Sequence, residues 1–60
     1  MDDEKIVELQ GQILLKINEA HDSVSLAYRE AQQGNFKRAE ALVMSATVDS
    51  EEVLRMIRKM

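Results

Sequence analysis

The sequence predicts an all-α fold, an antiparallel helical hairpin, and three observations carry that prediction. Apolar residues recur every seven positions along two long stretches, the spacing of a helix face rather than of a strand. One strong punctuation mark, Gly34-Asn35-Phe36, separates the two stretches. Proline is absent from the 60 residues, so no residue elsewhere breaks a helix by losing its N–H.

The first helix is expected over about 3–33. Ile6, Ile13, Ala20 and Ala27 fall on one core position, and Gln10, Ile17, Val24 and Ala31 on the other. Val7, Leu14, His21 and Tyr28 widen the stripe along one flank. Three positions per heptad make a face broader than a simple coiled-coil seam, one that suits more than one neighbour. The stripe is Ile- and Leu-rich in its first half. It thins to Ala20, Ala27 and Ala31 in its second, where helix axes can approach closely near the turn. Gly34 can take the left-handed conformation that closes this helix. Asn35 is expected to cap the next one by accepting a hydrogen bond from an orphan backbone N–H.

The second helix is expected over about 36–60. Phe36, Val43, Ser50 and Ile57 form one core position, and Ala39, Ala46, Val53 and Met60 the other, with Leu42 and Met56 on a flank. The segment Thr47-Val48-Asp49-Ser50-Glu51-Glu52 leaves an alternative open. Asp49 and Glu52 have the spacing of a capping box, and Val48 and Val53 that of a hydrophobic staple, so a third helix can begin at Ser50. The seven-residue register runs through the segment without a phase change, and no glycine or proline ends the preceding helix. That favours one continuous helix.

Composition bounds the function classes. One small domain, residues 1–60, buries only about 60% of its unfolded surface, and no cysteine is present to staple it or to ligate a metal. Apolar residues are 45% and charged residues 32% of the chain, too hydrophobic for a disordered one. The longest apolar run, Ile13-Leu14-Leu15, falls far short of a membrane span. The start, Met1-Asp2-Asp3-Glu4, is acidic where a signal peptide is basic. A soluble, cytoplasmic protein without membrane contact is expected. Net charge is −3, divided as −4 over residues 1–30 and +1 over residues 31–60. Folding at Gly34 is expected to bring Asp2, Asp3 and Glu4 near Arg55, Arg58 and Lys59. No basic stripe interleaved with aromatics exists, which argues against nucleic acid as a partner.

The pattern Ala20, Ala27, Ala31, Gly34-Asn35-Phe36, Ala39, Leu42, Ala46 resembles the first two helices of the lactose/cellobiose-specific IIA components of the bacterial sugar phosphotransferase system. The resemblance covers roughly residues 9–57. It implies a hairpin from a three-helix bundle that assembles as a trimer. In that family the phosphorylated histidine and the metal-holding acidic residue lie on a third helix, before which this chain stops. No functional residue of the family maps onto a position here, so the resemblance implies an accessory or truncated scaffold without the chemistry. An alanine-spaced hairpin with such a turn is also similar to tetratricopeptide-like repeats.

Individual chemical signals do not converge. His21 is the only histidine, and Ile17 and Ser25 occupy the positions one turn away where a second metal ligand belongs. It reads as a partly buried histidine hydrogen-bonded within a bundle. Glu51 and Glu52 are adjacent and so face different directions. Met44, Met56 and Met60 read as packing or surface residues. Gln10 and Ser50, polar at seam positions, read as register setters. No catalytic, cofactor-binding or metal-binding residue is expected, and the chain reads as a non-enzymatic interaction module: a regulator, adaptor or chaperone.

Two helices in contact cannot cover both stripes, and the remainder marks an interaction surface. The residues assigned to it are Ile6, Val7, Ile13, Leu14, Ile17, His21, Val24 and Tyr28 on the first helix. On the second they are Phe36, Leu42, Val43, Val53, Met56, Ile57 and Met60. Either two copies pair as a homodimeric four-helix bundle, or a larger helical protein supplies the missing helices.

Overall fold

In the computed structural model, which describes residues 3–59, the chain is two helices, α1 (Asp3–Gln32) and α2 (Phe36–Arg58), packed side by side as an antiparallel hairpin. Asp3 and Glu4 in the first turn of α1 and Arg29 in its last complement the helix dipole. Gly34, at φ 82°, then stops the helix. Its N–H donates to the Ala31 carbonyl at 3.0 Å, and the Asn35 N–H reaches back to the Glu30 carbonyl at 2.8 Å. These two bonds satisfy carbonyls that the helix end leaves without partners.

Asn35 departs from expectation. It occupies the cap position of α2 but makes no side-chain cap bond. Its amide instead donates to the Glu30 carboxylate at 2.9 Å, and the other oxygen of that carboxylate pairs with Arg38 at 3.4 Å. Glu30, with a side chain only 15% exposed, therefore ties the end of α1 to the start of α2. The donor end of the amide is held by the Glu30 carboxylate in a charge-assisted bond, stronger than a neutral cap bond.

α2 runs unbroken through residues 47–52. The Thr47 hydroxyl donates to the Val43 carbonyl at 3.0 Å and the Ser50 hydroxyl to the Ala46 carbonyl at 2.8 Å. Each hydroxyl is satisfied inside its own helix, one turn back, and Glu52, whose carboxylate would complete the capping box with Asp49, is engaged by Lys16 instead.

The two glycines behave oppositely, which gives a paired prediction. A Cβ added at Gly11, mid-helix in α1, meets nothing within 4 Å. Gly11→Ala is expected to stabilise the fold by about 0.5–1 kcal/mol, through backbone entropy alone. Gly34→Ala also meets open space but carries the left-handed φ, and is expected to destabilise by about 1–2 kcal/mol. Thermal melts of the two variants check both signs.

The seam itself is turned from the one the heptads suggest. Among the described residues the buried apolar side chains are Ile13, Ala27, Ala39, Ala46 and Val53. Leu9, Lys16, Ser23 and Glu30 from α1, and Leu42, Asp49 and Met56 from α2, are half-buried beside them. The expected second core rows, Ile17 and Val24 with Gln10 on α1 and Phe36, Val43, Ser50 and Ile57 on α2, are exposed instead. Met60 lies outside the described residues. Since consecutive residues sit about 100° apart, replacing the Ile17 row by the Lys16 row rotates the seam by about 50°. The reason is packing: each apolar arc is wider than one neighbour can cover. Pairing along the edge of each arc lets alanines set a close approach while Lys16 and Glu52 meet outside them. The register follows from the ion pairs, because the residue numbers add to 68 in both Lys16–Glu52 and Glu30–Arg38. With 30 residues against 23, the first two turns of α1 run past the end of α2 by about 10 Å.

Candidate interaction face

The rotation of the seam gives the hairpin two unlike faces. In an antiparallel pair, matching flank positions of the two helices lie on the same side. The Lys16 side is polar. There the Lys16 ammonium donates to the Glu52 carboxylate at 2.7 Å, and Glu30 pairs with Arg38. The opposite side collects the unused halves of both apolar arcs. Ile17 and Ala20 from α1 and Ser50, Val53 and Leu54 from α2 line a shallow groove of about 300 Å³ along it.

The hydrogen bond and the opposite charge of its partner hold the Lys16 ammonium above its ordinary range and the Glu52 carboxyl below its own. The depressed carboxyl contributes stability that is complete above the ordinary carboxylate range and lost as pH falls through its folded value. The raised ammonium contributes stability that is complete below the ordinary lysine range and lost as pH rises through its folded value. Glu52→Gln is therefore expected to melt lower than the parent at neutral pH. The gap is expected to close at acid pH, once the parent's Glu52 is protonated as well. Melting curves against pH check this.

Of the residues assigned to an interaction surface, Ile13 and Val53 are buried in the seam, and Leu42 and Met56 are half-buried against it. Ile6, Val7, Leu14, Ile17, Val24, Tyr28, Phe36, Val43 and Ile57 are exposed. Tyr28 and Phe36 reach 67% and 69% exposure, the two aromatic rings standing bare near the turn. His21 is corrected from partly buried to exposed, its side chain 75% accessible with Asp22 3.8 Å away. It lies on the outer row of the stripe, a position that a single neighbouring helix does not reach.

Leu54 and Glu30 are missing from the expected set. Leu54 stands next to Val53 in sequence, on the flank of α2 opposite to Leu42 and Met56, a row without the seven-residue run of apolar residues that marks the others. The structural weight of Glu30 comes from the turn bending Asn35 back upon it, which heptad spacing does not encode. A wider hollow of about 550 Å³ surrounds the turn, lined by Glu30, Gly34, Asn35, Phe36, Lys37 and Arg38. Its acid is already engaged by Asn35 and Arg38.

Among the described residues no three His, Asp or Glu side chains gather where they could hold a metal ion, and no helix is long and apolar enough to cross a membrane. No family model, curated protein or solved structure matches the chain.

Proposed function

We propose that this chain is a non-enzymatic protein–protein interaction module, a regulator, adaptor or chaperone whose working surface is the apolar face of the hairpin. One observation carries the reading: both helices turn the unused halves of their apolar arcs to the same side. Such a continuous patch is rare on a self-sufficient monomer and marks a surface that another helical body covers. Two hydroxyls along it are pre-satisfied, since Thr47 and Ser50 donate to their own helix. A partner covering Thr47 and Ser50 is not left with those two hydroxyls unpaired.

Site-specific photo-crosslinking in the native cell tests the reading. A crosslinker at Val24 or Val43, on the face, is expected to give discrete protein adducts, whether with a second copy or with another protein. The same group at Leu15 or Met44, both exposed on outer surfaces, is expected to give none above background. Equal yields from the two sets of positions contradict it.

A further inference from the structure

We propose that the face is covered by a second copy of the chain, laid on it about a twofold axis that runs along the helices. Both turns then lie at the same end, and α1 of each copy rests on α2 of the other. The proposal rests on the reading of the face as the working surface, and names its occupant.

Size and angle fit two identical halves. The Cα frame of the hairpin is 50 Å long and 14 Å wide, and its two-helix part, the length of α2, is about 35 Å, a footprint on the order of 500 Å² before side chains widen it. A stable interface takes about 800 Å² from each partner, so the whole face is used and no large remainder is left. In a square four-helix bundle, each helix sees its hairpin partner about 45° away from the bundle axis. The seam lies about 50° from the middle of the apolar arc, so the arc of each helix points at that axis.

Register and charge choose the orientation. An axis along the helices keeps the levels of the hairpin, so residues whose numbers add to about 68 meet across the copies as they do within one. Leu14 then meets Leu54 of the second copy, Val24 meets Val43, and small Ala31 faces large Phe36. Tyr28, at the rim, comes level with Glu40, a carboxylate its hydroxyl can donate to.

The other face-to-face arrangement puts the turns at opposite ends and stacks each helix on its own copy. It runs α1, with six acidic and three basic side chains, against another α1 of the same net −3. The favoured arrangement sets that α1 against an α2 with four of each sign. Like charges held together at an interface select against a pairing.

The chain has no cysteine, so a single spin label can be placed cleanly. Gln33→Cys at the turn and, as an independent position, Lys5→Cys at the open end both lie on exposed polar sites. Labelled protein is first weighed by sedimentation equilibrium, then measured by pulsed dipolar spectroscopy. The expected results are twice the chain mass and a label separation of roughly 30 Å or less at both positions, given helix axes about 10 Å apart. A dimer with separations near the 50 Å length of the hairpin overturns the orientation. A monomeric or trimeric mass overturns the second copy as occupant. A monomer whose Val24 and Val43 positions nevertheless crosslink to a different protein overturns this proposal while leaving the reading of the face intact.

Discussion

Ile17→Asp is expected to leave the chain largely unfolded and monomeric at micromolar concentration. On a free hairpin the change is mild: Ile17 is 47% exposed, and a surface substitution of this kind shifts stability by about 0.5 kcal/mol. In a paired bundle the carboxylate has no partner, because the residues across the groove are Ser50, Val53 and Leu54, and the Ser50 hydroxyl is already donated to Ala46. An unpaired buried charge costs several kcal/mol, and symmetry inserts it twice. That exceeds the stability a core of this size supplies. Leu15→Asp is the matched control, since Leu15 is 61% exposed on an outer row and its replacement is expected to change stability by about 0.5 kcal/mol or less. Far-UV dichroism and sedimentation of the two variants, measured side by side, give the comparison. Equal, small effects indicate that Ile17 stays in water.

Ile13→Ala is expected to destabilise by about 2–5 kcal/mol, from lost apolar transfer and the cavity left behind. Of the five buried apolar residues three are alanines, and Ile13 is the largest, only 8% exposed. It lies level with Met56 in the register, beyond the alanines of the turn half. Val24→Ala, half-exposed on the face, makes a useful comparison. Its cost within one hairpin is small, and any larger value reports burial by a second body. Denaturant titrations of both variants, with the midpoint and slope compared, give these numbers.

The two helices, their antiparallel order and the Gly34 stop were legible because each rests on a local rule: a seven-residue period, a left-handed glycine, the absence of proline. Continuity of α2 through Thr47–Glu52 was legible from the unbroken register, although the side chains there also spell a helix start. The seam was not. Heptad reading assigns the most apolar pair of rows to the contact. Here the rows containing Ile17 and Phe36 stay largely exposed. The less apolar rows containing Lys16 and Asp49 flank the contact, where a long side chain covers apolar surface and sends its charge outward. Asn35 was misread for a related reason. Its amide is both donor and acceptor, and only the folded turn decides that Glu30 claims the donor.

Folding and coverage of the apolar face are expected to go together, the chain being stably folded only when a second body lies on that face. The most direct measurement is thermal unfolding of the purified chain followed by circular dichroism across a thousandfold range of concentration. If two copies fold together, mass action makes the midpoint climb steadily with concentration, and helix content falls on dilution. A midpoint that stays fixed across that range, with full helicity in the most dilute sample, contradicts the claim.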